Sequence, residues 1–165
     1  MLMGGAVSGL LGTIAPTNFL PAANDYLVRQ GWSEGFATCI HVCVDLADGR
    51  FSVGSAGHPA AVQFQALSGT WVSVEGAFGT CLGVLDAQDA QDYPRAEGVL
   101  ERGDALLLYS DGIAESREAD LHVGLQRALA GVGVAPTAVG FADRLCEPGS
   151  SGSGADRTVI VICRD

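Results

Sequence analysis

Basic side chains are scarce in this sequence. Nine Lys plus Arg stand against 19 Asp plus Glu in 165 residues, a formal net charge of -10. That balance repels nucleic-acid phosphates and an anionic membrane surface, so neither is expected as a partner. No apolar run reaches the roughly 20 residues a membrane helix needs. The apolar start, Met1 to Ile14, has no basic residue before it and four glycines within it, so it does not read as a signal peptide. Met3, Val7, Leu10, Leu11 and Ile14 share one helical face, which predicts a core helix there. Cys-x-x-Cys and zinc spacings are absent among the five cysteines, Cys39, Cys43, Cys81, Cys146 and Cys163. Buried, reduced thiols in a cytoplasmic protein are the expectation. Gly-x-Gly-x-x-Gly and Gly-Lys-Ser phosphate loops are missing too, as is a Gly-x-Ser-x-Gly elbow, which argues against a βαβ nucleotide fold and a serine hydrolase.

What is present is a chain 48% apolar, enough for a core and of a length that suits one domain over residues 1–165. Asn18 is placed to cap a second helix, with Pro21 in its first turn, Leu20, Ala23 and Leu27 as its buried stripe and Gly31 at its end. The period then changes from 3.6 to 2: Phe36, Thr38, Ile40, Val42 and Val44 alternate with Ala37, Cys39, His41, Cys43 and Asp45. Asp48-Gly49 signals a two-residue hairpin turn into a return strand, Phe51–Ser55. Short strands are expected at 60–65, 71–74 and 81–85. Ala105–Tyr109 is an unbroken apolar run, as for a strand covered on both faces. Helices are expected at 121–130 and 136–146. Gly149–Gly154 reads as a flexible loop by composition, and Thr158–Cys163 as a final central strand. Strands in succession between flanking helices predict an α+β fold with sheet stacked on sheet and helices outside.

Three segments carry residues suited to chemistry. Asp111-Gly112 lies just after the buried run 105–109; a carboxylate at the mouth of a strand, before a glycine that permits a sharp turn, suits a hard cation, although Asp-Gly is also a common turn. In Ser55-Ala56-Gly57-His58-Pro59, His58 is either a base, ligand or substrate contact, or a hydrogen-bonded turn residue. Asp156-Arg157-Thr158 places an aspartate before the last strand, where it either completes a metal site with Asp111 or caps the strand end.

The ordered set resembles the metal-dependent protein phosphatases of the PPM superfamily, in the bacterial branch containing SpoIIE and RsbU. Phe36-Ala37-Thr38 and the strand to Asp45 match that branch's Phe-x-Thr strand ending in aspartate; Ala56-Gly57-His58-Pro59 matches its Ala-Gly-His-x-Pro region; Leu82-Gly83-Val84 matches its Leu-Gly segment. Pro16 through Leu27, with Asn24, is similar to its second helix. Glu101 to Glu115 matches its most distinctive block nearly throughout, and Asp156-Arg157-Thr158 matches its closing Asp-Asp-x-Thr with Ala155 in the first position.

The resemblance implies a four-layer α-β-β-α sandwich of antiparallel sheets. It also implies two or more Mn²⁺ or Mg²⁺ ions held by aspartates, which activate a water for attack on phosphorus. Asp111 is the implied metal ligand, with Gly112 turning the backbone beside it and His58 as a site contact. Either Asp156 takes the ligand role that Ala155 cannot fill, or one metal is lost. The implied substrate is a phosphoserine or phosphothreonine regulatory protein of the anti-anti-sigma type, in sigma-factor or stress signalling. Family members begin with strands carrying further aspartate ligands. The sequence here opens at Met1-Leu2-Met3, resembling the helix after those strands, and no Asp or Glu precedes Asp25. The expectation is therefore a domain lacking the leading strands, or a non-catalytic binding module of the same fold. Exposed sheet edges would then favour a homodimer.

Overall fold

The computed structural model describes residues 12–31, 35–85, 93–114, 121–147 and 156–165. The expected first helix up to Leu11, the segment Gly149–Gly154 and Ala155 lie outside the described residues. A 3-10 turn, Pro16–Asn18, leads into α1 (Phe19–Arg29). Next along the chain are β1 (Cys39–Val44), β2 (Arg50–Ala56), β3 (Val62–Gln65), β4 (Thr70–Ser73), β5 (Arg95–Val99) and β6 (Ala105–Tyr109). Then come α2 (Asp111–Ala114), α3 (Leu121–Val132), α4 (Phe141–Cys146) and β7 (Val159–Cys163). The strands form a three-stranded sheet, β1-β2-β5, and a four-stranded sheet, β4-β3-β6-β7, antiparallel throughout. The α+β class read from the sequence is the class observed.

The chain divides into two compact units. The first holds residues 1–60 and 74–99, the second residues 61–73 and 100–165.

In the first unit, α1 buries Phe19, Leu20, Ala23 and Leu27 against Ala56, Leu82 and Tyr93. Gly31 ends this helix with φ +64°. Asn18 stands at the N-cap as expected, but its side chain makes no capping hydrogen bond. The 3-10 turn just before it supplies the start instead, with the Asn18 N–H donating to Ala15 O at 2.9 Å. The hairpin between β1 and β2 falls at Asp48-Gly49, but its loop runs from Asp45 to Gly49. Two aspartate side chains build it: Asp45 Oδ1 accepts the Ala47 N–H and Asp48 Oδ1 accepts the Arg50 N–H, each at 2.9 Å. Gly49 at φ +78° makes the turn back.

A polar cluster lies on one face of this sheet. The His41 ring stacks on Phe19 with centroids 4.3 Å apart. Arg95 Nη1 lies 3.2 Å from His41 Nδ1, and its Nε and Nη2 donate to Ser52 Oγ and O at 2.6 and 2.9 Å. A guanidinium only donates, so Nδ1 is the acceptor and the neutral ring carries its proton on Nε2, 3.9 Å from Cys43 Sγ.

In the second unit, β6 is buried along its whole length and is paired on both sides, by β3 and by β7. Its start is fixed by Asp104, only 5% exposed, whose carboxylate accepts from Gln63 Nε2, Ala66 N and Glu101 N at 3.0, 2.8 and 3.0 Å. Leu107, Tyr109, Ile113, Leu125, Leu129, Phe141 and Leu145 form the core beneath α3 and α4.

Four expectations are corrected. Residues 81–85 are not a strand: only Leu82 bridges, to Ala37, and Gly83 at φ +83° turns the chain away. The strand β5 has no counterpart among the expected strands. The last helix spans Phe141–Cys146 rather than beginning at 136. Finally, β7 is an edge strand among the described strands, not a central one.

This packing has consequences for stability that can be measured. A Cβ at Gly124, inside α3, would sit 1.9 Å from the Ala114 carbonyl oxygen. Alanine favours a helix interior over glycine by about 1 kcal/mol. A backbone clash outweighs that, so Gly124→Ala should lower stability by about 1–3 kcal/mol. A urea midpoint equal to wild type or higher would refute the close approach. Stability should also respond to pH through His41. Burial, and then the Arg95 charge, lower the His41 pKa. The folded state therefore prefers the neutral ring, and the unfolded chain binds the proton first. This contribution is complete above about pH 6.5, the ordinary histidine value. It is lost as pH falls from there through the folded pKa. The fall in Tm between pH 7.5 and 5.5 should be smaller in His41→Gln than in wild type.

Candidate metal-binding site

The site is built where β6 stops being a strand. Ser110 N–H still donates to Thr158 O at 3.0 Å, continuing the ladder with β7. Its own carbonyl has left the ladder and accepts the Ile113 N–H at 3.0 Å, the first turn of α2. The Thr158 N–H, which would otherwise face that carbonyl, donates to Ser110 Oγ at 2.9 Å. The same hydroxyl donates to Asp156 O at 3.1 Å. One serine thus joins the end of β6, the beginning of α2 and the segment leading into β7.

Asp111 and Asp156 flank this junction, and both are exposed. Asp111 is the first residue of α2, and its Oδ1 accepts the Gly112 N–H at 2.9 Å. Gly112 is buried in that helix and is not among the glycines with positive φ, so the chain changes direction by passing straight into helix. The Asp156 segment is held from its other side by Arg157, whose Nη1 donates to Glu147 O at 2.6 Å, just past the end of α4. Neither aspartate forms an ion pair with another described residue. Their donors are all oxygen, the set a hard divalent cation takes, so the residues present fit Mn²⁺ or Mg²⁺ in kind. Among the described residues no group of three or more His, Cys, Asp and Glu side chains converges.

His58 belongs to the first unit and has surroundings of its own. Its N–H donates to Ser55 Oγ at 3.2 Å, and the same Oγ donates to His58 O at 2.9 Å. Ser55 is 2% exposed, so this turn is anchored in the interior. Thr38 Oγ1 lies 3.3 Å from His58 Nδ1, which joins the Phe-x-Thr and Gly-His segments, two motifs separate in the sequence. Asn24, 1% exposed, ties α1 to the Leu-Gly segment: its Oδ1 accepts the Gly83 N–H at 2.9 Å and its Nδ2 donates to Leu85 O at 3.1 Å. Asp45 is occupied in its hairpin loop. A groove of about 880 Å³ on the first unit's sheet is lined by Cys43, Asp45, Arg50, Ser52, Glu97 and neighbours. None of Asp111, Asp156 or His58 lines it.

Ser110 is the functional candidate that sequence reasoning passes over. Its signal is its position: a hydroxyl residue directly between a five-residue buried strand and an Asp-Gly pair.

Comparison with known proteins agrees with the motif reading. The family profile of Stage II sporulation protein E (SpoIIE) matches residues 1–165, and the chain belongs to that family. The phosphoserine phosphatase RsbU of Bacillus subtilis (strain 168) is 30% identical over 104 residues, covering 63% of this chain and 30% of RsbU. The crystal structure of the RsbU and RsbW domains of Rv1364c from Mycobacterium tuberculosis superposes with a TM-score of 0.65 at 25% identity, over 88% of this chain and 40% of that one. A structure of the PP2C phosphatase domain and a fragment of the regulatory domain of SpoIIE from Bacillus subtilis gives a TM-score of 0.68 at 18% identity, over 97% of this chain and 46% of that one. The chain therefore spans less than half the length of each of these relatives.

Proposed function

We propose that the chain contributes to metal-dependent dephosphorylation of phosphoserine or phosphothreonine on a regulatory protein of the anti-anti-sigma type, within sigma-factor control in the cytoplasm. The observation that carries this reading is the junction at Ser110, which sets Asp111 and Asp156 on two neighbouring strand ends in a chain of the SpoIIE family. Relatives named phosphoserine phosphatase RsbU, and RsbU and RsbW domains, support the phosphoprotein substrate and the signalling context. Asp111 and Asp156 would hold Mn²⁺ or Mg²⁺. When bound, such a cation lowers the pKa of a coordinated water and neutralises charge growing on the phosphoryl oxygens. Both carboxylates stand exposed, open to a cation and a phosphoryl group. His58, fixed by Ser55 and Thr38, is a proposed site residue of the first unit.

A second reading, a binding module with the phosphatase fold and no turnover, is favoured by one observation: among the described residues no group of three or more His, Cys, Asp and Glu side chains converges. Calorimetric titration with Mn²⁺ separates the two. Binding is expected in wild type and should weaken on the order of a hundredfold in Asp111→Asn, the upper end of what losing even a supporting group costs a metal site. Mn²⁺-dependent release of phosphate from a phosphoserine peptide should accompany it. A folded chain that takes no Mn²⁺ would leave the module reading standing.

Among the described strands β1 and β7 are edges of their sheets, and Ile160 on β7 is 52% exposed. Homodimerisation through these edges is proposed. Sedimentation velocity at micromolar concentration should show a dimer, and a clean monomer would remove the idea.

A further inference from the structure

We infer that Ser110 is a positioning residue for the cation site, setting where Asp156 stands relative to Asp111. The inference rests on the metal-site reading above and deepens it. At the strand-to-helix switch one carbonyl cannot serve both elements, and here it serves the helix, accepting the Ile113 N–H. The ladder to β7 would lose a bond at this point. The Ser110 hydroxyl replaces that carbonyl as acceptor for the Thr158 N–H and uses its own proton to hold the Asp156 carbonyl. A hydroxyl can accept and donate at once, and neither alanine nor a simple acceptor can do both.

Among the described residues β7 is registered by its ladder with β6, Ala105 to Cys163 through Tyr109 to Val159, and beyond that ladder the Asp156 segment is held by the Ser110 hydroxyl and, through Arg157, by the carbonyl of Glu147. Ser110 is the one bonded directly to Asp156, and it is covalently joined to Asp111. A displacement of the Asp156 backbone therefore changes the spacing of the two carboxylates, and cation affinity is sensitive to such outer contacts by about 10- to 100-fold.

The test is Mn²⁺ calorimetry on wild type, Ser110→Ala, Ser110→Thr and Asp111→Asn, with Tm of each in chelator. Ser110→Ala should lose about 10- to 100-fold in Mn²⁺ affinity, and Ser110→Thr, which keeps the hydroxyl, should recover most of it. A Ser110→Ala variant with lowered Tm but wild-type Mn²⁺ affinity would assign the residue a structural role only and overturn the inference. If both bind as wild type while Asp111→Asn does not, the metal reading stands and the positioning role falls. Failure of wild type to bind Mn²⁺ would remove the metal reading and the inference with it. A measurement on wild type alone guards against a Ser110→Ala chain that does not fold. Because coupling is reciprocal, Mn²⁺ should slow hydrogen exchange at the Thr158 N–H by about the same factor. An exchange rate unchanged by saturating Mn²⁺ would overturn the proposal.

Discussion

A fully buried strand has no water to satisfy its backbone, and every donor and acceptor along it needs a partner from the chain. In the second unit β6 is that strand. All five of its residues are buried, and it is the one strand there whose two neighbours are drawn from distant parts of the sequence, β3 before it and β7 at the end of the chain. Its ends are the costly places, because pairing must stop without leaving groups unmet. At the start, the Asp104 carboxylate gathers Gln63 Nε2, Ala66 N and Glu101 N. At the finish, the Ser110 hydroxyl substitutes for a carbonyl withdrawn into α2. The candidate chemistry sits at the second of these ends. There the chain leaves the interior, and polar side chains can be exposed without breaking the ladder.

The first unit solves a related problem with different groups. Its sheet has only three described strands, and α1 covers one part of it. At the margin of that cover Arg95 supplies donors to Ser52 and His41, while Phe19 closes over the imidazole. The cluster works because the imidazole is neutral: a second cation beside a half-buried guanidinium would be repelled, and burial already disfavours charge on either. The same logic of satisfying buried polar groups places Asn24, whose side-chain amide takes over the pairing that residues 83–85 would have made as a strand.

Much of this is legible in the residues. An unbroken Ala-Leu-Leu-Leu-Tyr has the composition of a strand covered on both faces, and the Leu20, Ala23, Leu27 spacing belongs to a helix with one buried side; both are found so. The Asp111 position at the mouth of β6 comes from the same pattern. The features that cannot be read depend on partners distant in sequence. Arg-Ala-Glu-Gly-Val at 95–99 carries no strand signature, and Gly98 is explained only by the Phe51 ring lying where its Cβ would be, 2.4 Å from the ring tip. Val-Ile-Val-Ile-Cys reads as a central strand, yet hydrophobicity does not report how many neighbours a strand has. Leu82 to Leu85 has strand-like residues, but the side chain of a residue 59 positions earlier claims the Gly83 amide.

The two aspartates illustrate the difference between legible residues and legible geometry. Asp111 and Asp156 are both identifiable by type, and their order along the chain says that they belong to two different strand ends. Sequence order alone does not say that those ends are neighbours. Their closeness comes from the register Tyr109 to Val159, which carries the pairing up to Ser110 and Thr158 before the helix interrupts it. A glycine or alanine at position 110 would leave the same two aspartates in the same order with one fewer acceptor and one fewer donor between them. Any hold on a doubly charged ion there would depend on where the oxygens stand, since hard cations discriminate by ligand number and cavity size. In the proposed site the Ser110 hydroxyl would therefore act through the backbone that carries Asp156 rather than through a bond to the ion.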